Sequence, residues 1–207
     1  MAGRAGRGDA ITSRPRPAPG ARRLVGTLLL IAVAVVAEAA ADASRFVPWS
    51  RPETPALALK DLESRERSLP QYRGKVLLVN FWATWCEPCR DEMPSIGRLR
   101  SQLAEQPFEV LAINYGESAG RIRDFIARER LDLTVLLDPG QTVARAWRVR
   151  TLPTTFLVGA DGRVRYSVVG ELDWARDDAL GMVRSILPAR GAEGPGARGR
   201  LAGRAGR

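Results

Sequence analysis

Residues 75–94 read KVLLVNFWATWCEPCRDEMP. The first eight, Lys75–Trp82, form an almost unbroken apolar run, the pattern of a strand buried on both faces. From Cys89 onward, Met93, Ile96, Leu99 and Leu103 recur at a spacing that gathers them on one side of a helix. Cys86 and Cys89, the chain's only two cysteines, therefore sit where a buried strand hands over to a helix.

That junction decides what the cysteines can do. The first lies at a helix N-terminus, beside unpaired backbone N–H groups and the positive end of the helix dipole. A thiolate is stabilised there, and the thiolate is the nucleophile. The second, one turn further on, can attack the first sulfur and resolve a mixed disulfide. Pro88 fits between them, because the first helical turn has no use for its missing N–H and its φ is already helical. A purely structural disulfide closing so small a loop removes little chain entropy. A zinc site needs about four ligands, and with no histidine and no third cysteine the chain cannot supply them. Two inert core cysteines remain an alternative, although a strand-to-helix junction is not a core position.

Composition narrows the field further. Without histidine there is no Ser-His-Asp triad, no imidazole acid–base step and no His-ligated zinc or haem. The 207 residues suit one domain with tails. The net charge of +9 belongs to those tails: residues 1–51 carry eight basic and three acidic residues, 189–207 five and one, and 52–188 nineteen of each. A neutral body with basic ends argues against a folded nucleic-acid surface. Only Lys60 and Lys75 among the 32 basic residues are lysine, which reads as a compositional habit.

Working outward, residues 1–23 are an Arg-rich, low-complexity N-terminus expected to be disordered. Arg22 and Arg23 precede the 14-residue apolar run Leu24–Ala37, within a segment, 24–41, read as a signal peptide or membrane anchor. A helix of 14 residues spans roughly 21 Å, against roughly 30 Å of hydrocarbon. Positive charge ahead of it places the remainder outside the cytoplasm. Residues 42–55, with Pro48, Pro52 and Pro55, read as a linker; 56–188 as the folded domain; 189–207 as a disordered tail. Within the domain, a hairpin is expected from Ala56–Leu59 and the stretch near Leu69. Then come a strand Phe108–Asn114, a helix Ser118–Arg130 with Ser118 as N-cap, a strand Leu133–Leu137 and a helix Gln141–Trp147. Strands Thr155–Val158 and Val164–Val169 flank the turn signal Asp161-Gly162, and a helix Trp174–Leu187 closes the domain. Early alternation and a late hairpin imply an α/β fold, a mixed central β-sheet with helices on both faces and an N-terminal hairpin extension.

LLVNFWATWCEPCRDEMP (77–94), INYGES (113–118) and VLLDPGQTVARAWRVRTLPTTFLVGADGRV (135–164) together resemble the thioredoxin superfamily, in its membrane-tethered TlpA/ResA-like, cytochrome c maturation branch. The likeness covers about residues 52–188. It implies a thioredoxin fold and a thiol–disulfide oxidoreductase, with Cys86 the exposed attacking thiol, Cys89 the buried resolving one and no cofactor beyond their disulfide. Pro153 would be a cis-proline facing that disulfide. Leu152 would lend its backbone to a substrate strand, with Trp85 beside it in the substrate-binding surface. Glu92 and Glu117 match glutamates that tune cysteine protonation. Asn80 stands where cytosolic thioredoxins carry a buried Asp, leaving proton transfer to Glu92 or Glu117. Glu87, next to Cys86, disfavours the thiolate slightly and so points to a reductant. The implied partners are a disulfide-bearing protein, such as the haem-site cysteines of apocytochrome c, and a thiol-type membrane electron donor. The implied location is extracytoplasmic, the chain being either secreted or held in the membrane through 24–41. Two other readings stay open: a peroxiredoxin-type peroxidase, whose Pro-x-x-x-Thr-x-x-Cys pattern is absent, and a thioredoxin-fold metallochaperone, whose Cys-x-x-x-Cys and His are absent.

Overall fold

The structure, a computed structural model, describes residues 45–189. The expectations for 1–23, 24–41, the start of the 42–55 segment and 190–207 fall outside it. Among the described residues no helix is long and apolar enough to cross a membrane.

An eight-stranded mixed sheet has the order β1-β8-β7-β4-β5-β6-β2-β3. In chain order the strands are β1 Val47–Pro48, β2 Ala58–Asp61, β3 Glu66–Ser68, β4 Val76–Trp82, β5 Phe108–Tyr115, β6 Thr134–Asp138, β7 Thr154–Val158 and β8 Val164–Val169. The helices are α1 Glu87–Gln102, α2 Ala119–Glu129, α3 Thr142–Ala146 and α4 Asp177–Ser185. β4 lies between β5, which it pairs with in parallel, and β7, which runs antiparallel. All seven of its residues are buried. Alternation then sorts them: Val76, Leu78 and Trp82 enter a core with residues of α1, α2 and α4, while Leu77, Val79 and Phe81 enter a second core with α3. Helices thus cover both faces.

The cap chemistry read from the sequence explains the helix limits. Ser118 accepts the Arg121 N–H and starts α2. α1 begins at Glu87, two residues earlier than the hydrophobic spacing alone suggests, because Cys86 takes the N-cap position. α4 starts three residues later than expected. The Asp173 side chain accepts the Ala175 N–H, and its carbonyl accepts the Arg176 N–H, holding 173–176 in a turn.

The segment read as a linker up to Pro55 is part of the domain. Phe46 is buried, edge-on to Tyr166 and Trp174; Val47 and Pro48 pair with Ser167 and Tyr166; and Trp49 packs edge-on to Phe156. Each aromatic ring brings roughly 150–250 Å² to bury, which outweighs the prolines. Pro48 is tolerated because β1 is an edge strand. The hairpin forms as expected, with its second strand three residues before Leu69. The buried Asp61 carboxylate fixes its turn by accepting from the N–H groups of Glu63 and Arg65 and from the guanidinium groups of Arg65 and Arg67.

Candidate active site

Cys86 and Cys89 are joined by a disulfide, with their Cα atoms 5.3 Å apart. The Cys86 sulfur also accepts the Cys89 N–H at 3.3 Å, the bond of a helix N-cap. Cys86 keeps 6% of its surface exposed and Cys89 none. Cys86 is the more accessible of the two, and in this disulfide form it is only narrowly open to solvent. Trp85, just before it, is 61% exposed.

The Leu152–Pro153 peptide bond is cis. A cleft of about 380 Å³ brings Trp85, Cys86 and Pro88 together with Tyr115, Thr151 and Leu152. Pro153 is buried, and its carbonyl accepts the Gly170 N–H at 2.9 Å. Leu152, just before it, lines the cleft. The β7 ladder begins only at Thr154, so the Leu152 backbone lies outside it. A larger groove, about 680 Å³, runs between Pro55, Leu69, Arg73 and Arg163 beneath the hairpin and contains neither sulfur.

Two carboxylates flank this arrangement in opposite electrostatic states. Glu92 lies one turn beyond Cys89 on the buried face of α1 and is 2% exposed. Burial pushes its pKa up, and the nearby Glu171 charge adds to the rise. Hydrogen bonds from the Asn80 amide, the Leu172 N–H and the Trp174 indole hold it back, leaving it at about 7. These donors stand at 2.7, 3.3 and 3.3 Å. Such a group changes protonation near neutrality.

For Glu117, burial also raises the pKa. Hydrogen bonds from Asn114 and from the Thr84 hydroxyl and N–H, with the Arg121 charge, outweigh it and hold the carboxyl below its ordinary value. Its oxygens accept from the Thr84 N–H at 2.7 Å, the Thr84 hydroxyl at 2.5 Å and Asn114 at 2.8 Å, and pair with Arg121 at 3.1 Å. Among the described residues none of its hydrogen bonds reaches a sulfur. The geometry is that of a clamp on the loop that delivers Cys86. Replacing Glu117 by Gln leaves donors facing an amide –NH₂ and is expected to cost about 1–2 kcal/mol at neutral pH. The native pKa is depressed, so this contribution is present above about pH 4.5 and is lost as acid protonates the carboxylate. Urea unfolding of wild type and variant at neutral pH and well below pH 4.5 measures the difference and its loss.

Several residues of the site carry no motif. Asn80 and Asn114 were detectable as polar residues inside apolar strands, where a buried amide requires partners. Thr84, Leu172 and Trp174 reach the two carboxylates from loops, and no spacing rule links them; Arg121, four residues after Glu117, carries the one spacing signal, an i,i+4 acid–base pair.

With this geometry in view, the comparisons with known proteins agree. The profile of the AhpC/TSA family matches residues 52–167. The thiol-disulfide oxidoreductase ResA of Geobacillus thermodenitrificans is 38% identical over 134 residues, 65% of this chain and 76% of that one. The ResA of Bacillus subtilis is 34% identical over 120 residues, 58% of this chain and 67% of its own. Among solved structures, a Chlorobium tepidum protein described as a DsbE thiol:disulfide interchange protein superposes with a TM-score of 0.56 at 28% identity, covering 63% of this chain and 89% of that one. The chain belongs to the AhpC/TSA family, has the thioredoxin fold and is a thiol-disulfide oxidoreductase.

Proposed function

We propose that the chain works outside the cytoplasm as a reductant of partner-protein disulfides, with the cysteine pair of an apocytochrome c haem-attachment segment as its substrate class. The observation that carries this reading is the unequal placement of the sulfurs. Cys86 is at the helix tip in a cleft shared with Trp85 and Leu152, and Cys89 is sealed beneath it.

In the reduced enzyme, the Cys86 thiolate attacks one sulfur of the partner disulfide. A bond forms between Cys86 and that sulfur, and the partner's other sulfur leaves as a thiolate and takes a proton. Cys89 gives up its proton to Glu92, one turn further along the buried face of the helix, and attacks the Cys86 sulfur. The second partner thiolate leaves, and the enzyme holds the Cys86–Cys89 disulfide. Two electrons pass to the partner, and a thiol-type donor in the membrane restores the dithiol. The cysteine pair is itself the redox couple, without a bound cofactor. Trp85 and Leu152 supply apolar area and free backbone for an extended substrate segment. The basic residues ahead of Leu24–Ala37 support an extracytoplasmic domain, secreted or anchored through 24–41.

Reduced Cys89→Ser protein, mixed with an oxidised Cys-x-x-Cys-His peptide, is expected to accumulate an enzyme–peptide mixed disulfide visible by intact mass. Absence of the adduct, together with wild-type protein reducing the peptide no faster than Cys86→Ser protein does, overturns the reading.

A further inference from the structure

Asn80 is fully buried in β4, and its side-chain amide is only half used. Nδ2 donates one hydrogen to Glu92 Oε1 at 2.7 Å and the other to Thr155 Oγ1 at 2.9 Å. Its Oδ1 is buried without a hydrogen-bond partner. A buried carbonyl left unpaired beside a strongly bonded amino group is an uncommon arrangement that calls for an explanation.

The explanation lies in what happens around it when Glu92 takes a proton. An ionised Glu92 only accepts, and every group facing it donates: Asn80 Nδ2 from β4, and the Leu172 N–H and Trp174 Nε1 from the segment after β8. The Trp174 and Leu172 donors are held in place, because the Ser95 hydroxyl accepts the Trp174 N–H and contacts the Leu172 carbonyl. A proton on Oε2 would point at these two fixed donors. A proton on Oε1 would point at Nδ2, also a donor. Only one of these neighbours can be exchanged for an acceptor without moving the backbone. Rotating the Asn80 amide by half a turn puts Oδ1 where Nδ2 stood, since the two ends have nearly the same size and shape.

We infer that Asn80 is a positioning residue whose amide turns over when Glu92 gains or loses its proton, giving both forms of the carboxyl a matched partner. In the ionised form Nδ2 donates to Glu92 and to Thr155. In the protonated form Oδ1 accepts from the Glu92 O–H and from the Thr155 hydroxyl. Two hydrogen bonds are made in each state, and the amide end without a partner changes from carbonyl to amino. The Thr155 hydroxyl suits both states, because it accepts in one and donates in the other. A pKa at about 7 for Glu92 means that both forms are populated near neutrality. An aspartate at position 80 would instead set a second carboxylate against the first.

The remaining groups around Glu92 do not substitute for Asn80. Cys89 lies one turn back on α1 with its sulfur in the disulfide, and Glu171 acts through its charge alone. The consequence for exchange is a buried proton store beside the resolving cysteine whose carboxyl faces a matched partner whether it is full or empty. The inference rests on the reading in which Glu92 handles the Cys89 proton.

Nuclear magnetic resonance of the full-length disulfide form, labelled with ¹⁵N at asparagine and ¹³C at glutamate, tests it between about pH 5 and 9, the span around the usual and raised carboxyl values. The expected result is a single midpoint. Above it the Asn80 Nδ2 protons show contacts to the Thr155 methyl, and below it those contacts are lost as the Glu92 carboxyl carbon shifts. Glu92→Gln, whose amide mimics the protonated carboxyl, is expected to show the contacts at no pH. Contacts that persist on both sides of a Glu92 titration overturn the turning amide while leaving the proton role of Glu92 intact. A Glu92 carboxyl carbon without a step over this range overturns that role, and the inference with it.

Discussion

Replacing Cys86 by serine is expected to abolish disulfide reduction while leaving the fold in place. The loss follows from chemistry at one atom. A serine hydroxyl cannot form a disulfide with the partner, and its proton is not released near neutrality, so no covalent intermediate exists. The rate should fall to the background of free solution, about a thousandfold or more. The preserved fold follows from the second job of the same atom. The Cys86 sulfur caps α1 by accepting the Cys89 N–H, and serine is among the best capping residues. Losing the disulfide itself removes a constraint over a very short loop, which contributes little. Catalysed reduction of a disulfide substrate, run beside thermal unfolding of reduced wild type and variant, checks both halves. An active Cys86→Ser protein would remove the nucleophile assignment. An inactive and unfolded one would mean that the sulfur caps the helix in a way oxygen cannot.

That separation of chemistry from scaffold also describes what the sequence made legible. β4, α1 and the two cysteines could be read in place because their signals are local: an unbroken apolar run, a helical period and a proline in the first turn. Pro153 was legible only beside the cysteines, since an isolated proline before a strand is usually a loop residue. That Leu152, just before it, lines the cleft depends on the turn into β7. Phe46 and Trp49 were hidden among prolines. Their burial needs β8 and β7 to be adjacent, and a sheet order of this kind is not written in any window of residues. Glu92 and Glu117 were found by resemblance, but their opposite states were not. Burial outweighs three neutral donors at Glu92, whereas at Glu117 the hydrogen bonds from Asn114 and Thr84, with the Arg121 guanidinium at 3.1 Å, outweigh burial; the Trp174 and Thr84 partners lie 82 and 33 residues away in the chain.

Glu92→Gln is expected to make the protein more stable at alkaline pH and a slower catalyst. A carboxyl whose native pKa is raised to about 7 from an ordinary 4.5 holds its proton more tightly in the folded chain than in the unfolded one. Its contribution to stability is therefore complete below about pH 4.5 and is lost as the pH rises through 7. By linkage the loss above that window is about 3 kcal/mol. Glutamine has no proton to surrender, so the variant keeps its stability where wild type loses it. Its carbonyl serves the Leu172 and Trp174 donors and its amino group faces a turned Asn80, with imperfect pairing offsetting about 1 kcal/mol. The net gain at pH 8–9 is then about 2 kcal/mol, a rise in Tm of roughly 4–8 °C for a domain of this size. Near pH 4 the gain vanishes, and the variant is equal to wild type or slightly weaker. Urea unfolding at the two pH values measures the crossover. Catalysis moves the other way, because an amide cannot accept the Cys89 proton. The resolving step should slow by about a hundredfold, the usual scale of a lost general base, and mixed disulfides with substrate should persist, as is expected for Cys89→Ser. Equal stability of the two proteins at both pH values would show that Glu92 ionises without cost in the native state, and its proton would then have no part in the exchange. A stabilised variant with undiminished turnover would leave the buried carboxyl real but would move the acceptor of the Cys89 proton to solvent.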